Sequence, residues 1–127
     1  MKGMNMSCIV NLTQHEATID QLNAGVIDVD SDDKELIRED LTFDDIPSSD
    51  EMTERAFVMA HMAKKYSDVA MIGGAPYFMP YLIRELENLG ISAVYSFTKR
   101  VSIDTKTESG DIMKKSVFKH IGFVPAN

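Results

Sequence analysis

Apolar and polar positions divide this chain into short apolar runs and amphipathic stretches. SCIVNL, residues 7–12, is a brief β-favourable run of the length of a strand buried on both faces. Thr18-Ile19-Asp20-Gln21 follows as a T-x-x-Q capping box, with Asn23-Ala24-Gly25 closing a short helix on a left-handed glycine. In residues 28–50 only Leu36, Ile37 and Leu41 offer an apolar face, so the pattern predicts one modest helix in a solvated acidic segment. Ser48 to Glu51 forms a second capping box ahead of a helix of about 15 residues, with Phe57, Met59, Ala60 and Ala63 expected towards the core and His61 at the surface.

The second half shifts between the two periods. Val69 to Ile72 is an apolar run that enters Gly73-Gly74 directly, and the next helix is predicted to start at Pro80, present Leu82, Leu86 and Leu89, and stop at Gly90. From Ile91 to Ile103 residues alternate, with Tyr95, Phe97, Val101 and Ile103 on one face and Ser96, Thr98, Arg100 and Ser102 on the other. Residues 108–111 make a polar turn, and Ile112 to Val124 returns as an antiparallel partner. The order predicts an α/β fold: a small Rossmann-like three-layer domain over residues 1–127, mostly parallel, with an antiparallel C-terminal hairpin strand.

Size and composition narrow the classes. A chain of 127 residues buries a core without disulfides or metals, and no apolar run approaches the roughly 18 residues of a membrane span. The first residues, MKGMNMSCIVN, lack a secretory h-region, so the expected location is cytoplasmic. Cys8, the single cysteine, is expected to be a buried inert thiol. Net charge is -7, with fourteen acids against Lys34 and Arg38 in residues 16–54, and six bases against Asp104, Glu108 and Asp111 in residues 90–127. That distribution argues against duplex nucleic acid as a partner, which calls for a dominating basic field. Asp28, Asp30 and Asp32 alternate as in a calcium loop, but the required glycine is missing and Lys34 intrudes; no metal or cofactor is expected.

The candidate chemistry lies where the parallel strands end. Such sheets bind ligands beyond their C-terminal edge, and three segments are predicted to meet there: Asn11 to His15, Gly73 to Met79, and Ser96 to Arg100. Gly73, Gly74, Ala75 and Pro76 bring bare backbone close to a ligand, with exposed amides ahead of the Pro80 helix as an anion nest. The segment is neither a P-loop nor a dinucleotide fingerprint. Asn11, Thr13 and Gln14 suit a base edge, ribose or phosphate, although Asn11 and Thr13 equally suit ties between the loop and its own backbone. His15 is the candidate proton carrier. Arg100, on the face of Ser96 and Thr98, is the preferred phosphate contact over Lys99, and His120 is a half-exposed strand residue or a further member.

The stretches N-L-T-Q-H-x-A-T, M-I-G-G-A-P-Y-x-M-P, Y-S-F-T-K-R and V-F-K-H-x-G-F-V together resemble a family of small uncharacterised proteins of bacteria, phages and mobile elements, over nearly the whole chain. More loosely, the first fifth is similar to small CARF-like accessory proteins of CRISPR systems, which bind cyclic oligoadenylates and in some cases cleave them. That likeness implies an antiviral-defence setting and a homodimer around a symmetric cyclic nucleotide. It implies contacts from Asn11, Thr13, Gln14 and His15, a phosphate cradle at Gly73 to Pro76, and neutralisation by Arg100 or Lys99. In members that cleave, no metal is needed: the ribose 2′-hydroxyl attacks its own phosphate while His15 shuttles the proton. The expected function is therefore binding of a small anionic nucleotide signal, with or without slow phosphodiester cleavage. Two other readings remain open: an acidic interaction or inhibitor protein with a basic partner, and an enzyme on another small nucleotide or sugar.

Overall fold

The computed structural model describes residues 8–127. Its elements in chain order are β1 (Ile9–Asn11), α1 (Ile19–Asn23), β2 (Val26–Ile27), α2 (Ser31–Leu41), α3 (Ser49–Lys64), β3 (Val69–Met71), α4 (Met79–Asn88), β4 (Ser92–Lys106) and β5 (Ile112–Pro125). They build one five-stranded sheet in the order β2-β1-β3-β4-β5. All neighbours run parallel except the antiparallel β4–β5 pair. The fold is α/β with a mostly parallel sheet and helices on it, as the apolar pattern predicts. Ser7, at the start of the expected first strand, lies outside the described residues.

Alternate residues of the central strands build the core. Val10 and Leu12, Ala70 and Ile72, and Ile91 and Ala93 point to one face, where they join buried residues of α2, α3 and α4 such as Ile37, Met59 and Leu86, and Phe78 at the cap of α4. Each such large side chain contributes about 1.5–3 kcal/mol of burial. The short α1 buries no residue of its own and touches β2 and β5. No helix among the described residues is long and apolar enough to cross a membrane.

Three details depart from the sequence pattern. Phe57 is 50% exposed and stacks on His61; the buried face of α3 is formed instead by Met52, Ala56, Met59, Ala60 and Ala63. The helix in the acidic segment starts at Ser31 with Asp30 as its N-cap, so the acids Asp32 and Asp33 sit in its first turn, where the helix dipole favours negative charge. The two-residue strand β2 has too few positions to show a period; the left-handed Gly25 (φ 104°) turns the chain so that Ile9 N donates to Gly25 O. Cys8 is half-buried, its thiol donating to Tyr66 O at 3.6 Å.

Tyr66 ties the end of α3 to the start of α2. Its hydroxyl donates to Asp33 Oδ2 at 2.6 Å and accepts from Asp30 N at 3.2 Å. Burial, and then the bond to Asp33, push the phenol up to about 12, while the same bond holds the Asp33 carboxyl below its usual range. The unfolded phenol ionises near pH 10, so its contribution to stability is complete below pH 10 and is lost as pH rises towards 12. Tyr66→Phe is expected to flatten that alkaline loss, read as urea midpoints between pH 9 and pH 11.5; equal slopes in variant and wild type would contradict the assignment.

Candidate functional site

Beyond the C-terminal ends of β1 and β3, and beside β4 where it leaves β3, the chain forms a cavity of about 540 Å³. Three walls come from three segments. Thr13, Gln14, His15 and Glu16 follow β1, Gly73 and Gly74 follow β3, and Tyr95 and Ser96 lie in β4 just past its pairing with β3. Thr18, the N-cap of α1, and Gln21 within it close the fourth side, over a floor of Met71 and Ile72. His15 and the Gly73-Gly74 turn thus line one hollow.

The loop after β1 is fixed from below. Asn11 is fully buried, and its amide is spent inside the protein: Nδ2 donates to His15 O (2.7 Å) and Asp28 Oδ1 (2.8 Å), while Oδ1 accepts from Thr13 N (2.9 Å) and Thr13 Oγ1 (2.7 Å). Asn11 therefore supports the cavity wall and does not form it. Lys34, 6% exposed on α2, donates from Nζ to Thr13 O and His15 O, both at 2.8 Å. Burial lowers the Lys34 ammonium below its ordinary value, against an opposing pull from Asp28. Asp28 in turn accepts from Ala17 N, which makes it the anchor of this loop and not the start of a calcium loop. With its backbone held at three points, the exposed His15 ring makes no hydrogen bond among the described residues.

The turn after β3 offers backbone donors. Phe78 N and Met79 N are satisfied by Ala75 O, so α4, which begins at Met79 and not at Pro80, presents no open first turn there. The amides of Gly73, Gly74 and Ala75 donate to no other described group. Gly74 has φ 156°, and a Cβ there would stand 3.2 Å from both Leu41 Cδ2 and Met79 Cε, so the turn needs glycine at that position. Ala75 and Pro76 are not among the cavity walls.

On the β4 side the expected cations do not reach the hollow. Thr98, Lys99 and Arg100 are exposed on the strand as it runs away from the sheet, and the Arg100 guanidinium sits 5.0 Å over the Phe118 ring. A shared face with Ser96 fixes direction only; four residues of strand carry Arg100 roughly 13 Å further along. Ser96 itself is set firmly. Its hydroxyl shares a hydrogen bond with His120 Nδ1 (2.8 Å) and accepts from Gln21 Nε2 (3.3 Å). His120 packs on Phe123, and its Nε2 is buried with no partner among the described residues.

Gln21 is the residue that sequence reasoning assigned too narrowly. Its Oε1 accepts from Thr18 N in the capping box, which leaves Nε2 free for Ser96 across the cavity. Tyr95 and Glu16, also on the wall, carry no sequence signal beyond their neighbours. Among the described residues no three His, Cys, Asp or Glu gather as a metal site.

The family model described as the uncharacterized protein MJ1673 family matches residues 7–124. The chain belongs to that family. The match runs from the first strand almost to the end of β5 and so spans the residues that line the cavity. No curated protein and no solved structure matches the chain.

Proposed function

We propose that this MJ1673-family protein binds a small nucleotide-type ligand in the cavity at the C-terminal edge of its sheet. The observation that carries the reading is the pairing, across one hollow, of uncommitted peptide amides at Gly73-Gly74 with the unengaged His15 imidazole. Amide N–H groups in such a turn donate to a phosphate oxygen. Gln14, Thr18, Gln21 and Ser96 supply both donors and acceptors for a base edge or ribose, and Tyr95 supplies an aromatic surface. Glu16 on the wall, with Lys99 and Arg100 away from it, favours a ligand of low charge over an extended polyanion. A mononucleotide or a compact cyclic nucleotide meets that condition better than a long linear one.

A ribonucleotide ligand with a 2′-hydroxyl beside a phosphodiester could also be cleaved there. His15 would take the 2′-hydroxyl proton as the oxygen bonds to phosphorus, the bond to the 5′-oxygen breaks, and that oxygen leaves with a proton from solvent water, giving a 2′,3′-cyclic phosphate and a protonated His15 that returns its proton to solvent. The Gly73 and Gly74 amides would face the charge that grows on the phosphoryl oxygens.

The test is a thermal-shift screen over nucleosides, mononucleotides, cyclic dinucleotides and cyclic oligoadenylates, with inorganic phosphate as the control. A binder at a hundred times its Kd is expected to raise Tm by on the order of 10 °C. His15→Ala and Gln21→Ala should remove most of the shift, and Arg100→Ala should keep it. Silence across the panel, or a shift indifferent to both cavity substitutions, would sink the reading. Mass analysis of the incubated ligand reads cleavage in the same samples.

A further inference from the structure

Past Val94 the last two strands leave the sheet. β4 pairs with β3 only from Ser92 to Val94, whereas β4 and β5 remain paired from Thr98–His120 out to Lys106–Ile112. A register shift between Phe97 and Thr98 marks the start of this arm. It is a two-stranded ribbon roughly 27 Å long at about 3.4 Å per residue, and a ribbon of two strands is marginal by itself in water.

Its two faces differ. Opposite residues of an antiparallel pair share a face, so the register puts Val101 with Val117, Ile103 with Lys115, Thr105 with Met113, and Lys99 with Lys119 on one side. That side has an apolar centre, a rim of three lysines and no acid; Asp104 lies on the other. None of its apolar residues joins the core cluster, and Ile103 and Met113 are exposed.

The acidic body carries a surface of the opposite kind. Asp44, Asp45, Ile46, Pro47, Met52 and Tyr77 line a groove of about 570 Å³. Ile46 is 98% exposed, and Asp44 and Asp45 stand beside it with no ion-pair partner among the described residues. An apolar centre rimmed by lysines matches an apolar groove rimmed by aspartates.

We propose that the lysine-rimmed face of the β4–β5 ribbon docks in the Asp44–Tyr77 groove of a second copy of this chain, and reciprocally, so that each subunit gives an arm and receives one. Reciprocity about a two-fold axis closes the assembly at a dimer. Two such arms bury on the order of 1,000 Å² in total, the lower bound of a specific interface. The contact is separate from the ligand cavity, with which the groove shares no residue.

Sedimentation velocity at micromolar protein tests it with two variants, Lys115→Glu/Lys119→Glu on the ribbon and Asp44→Lys/Asp45→Lys in the groove. The wild type should sediment as a dimer that weakens as salt rises, and each variant as a folded monomer. Mixed one to one, the variants should recover the dimer mass, because both arm–groove contacts in the mixed pair again join opposite charges. A monomeric wild type, a dimer unmoved by both reversals, or a mixture that stays monomeric overturns the proposal. Should either reversal unfold the chain, Met113→Ser gives the second reading: a dimer weakened at least tenfold supports it, and an unchanged one overturns it.

Discussion

Asn11→Ala is expected to lower unfolding stability by about 2–4 kcal/mol and to abolish the nucleotide binding proposed above, although Asn11 is not among the residues that line the cavity. The size follows from its four hydrogen bonds and complete burial. Alanine leaves Thr13 N without its acceptor and removes one donor each from His15 O and Asp28 Oδ1, and each buried group left unmatched costs about 1–3 kcal/mol. Released from below, the Thr13–Glu16 loop no longer holds His15 at the hollow, so affinity falls with stability. Asn11→Asp separates hydrogen bonding from shape. It puts a carboxylate at the position now 2.8 Å from Asp28 Oδ1, so it should be at least as damaging at neutral pH and recover on acidification, when one of the two carboxyls holds a proton and donates to the other. Urea unfolding at pH 7 and pH 4.5 checks both variants; an Asn11→Ala loss under about 1 kcal/mol would show that the loop stands without this amide.

The parts of this site that were legible in the sequence are those with a local cause. An apolar run ending at Asn11, a second one entering Gly73-Gly74 and a third into Tyr95-Ser96 place three loops at one sheet edge, because parallel strands share a direction. Both capping boxes form their N-cap bonds, with Thr18 accepting from Gln21 N and Ser48 from Glu51 N. What was not legible depends on distances between segments. Lys34, one of two bases in an acidic run, has the pattern of a solvated base; its burial follows from two carbonyls about twenty residues earlier, and carbonyls leave no mark in a sequence. Arg100 shows the converse. Alternation correctly puts it on the side of Ser96, but the departure of β4 from β3 after Val94 takes it out of reach. The apolarity of Phe57 predicts an inward ring, whereas the buried stripe of α3 is held by Met52, Ala56, Met59, Ala60, Met62 and Ala63, on the other side of the helix from the Phe57–His61 stack.

The second large effect is expected at that lysine. Lys34→Met keeps the aliphatic stem and removes the donor to Thr13 O and His15 O, with an expected loss of about 2 kcal/mol at pH 7. Its pH dependence separates two accounts of the side chain. If burial dominates, as the lowered ammonium value indicates, the unfolded chain holds the Lys34 proton more tightly than the folded one. Between the lowered folded value and 10.5 the unfolded state then binds more protons, so wild-type stability gains with rising pH in that window. Methionine cannot show this gain, and the difference between wild type and Lys34→Met should widen from pH 7 to pH 10. The Tyr66 loss is common to both proteins and cancels. Were attraction between the ammonium and Asp28 the larger effect, the folded value would lie above 10.5, and the difference would stay flat from pH 7 to pH 10 and shrink only beyond it. Because Asn11 and Lys34 both donate to His15 O, their losses should also fall short of additivity by about 0.5–3 kcal/mol in a double-mutant cycle. One broken loop is common to both variants, and the second substitution has less left to undo.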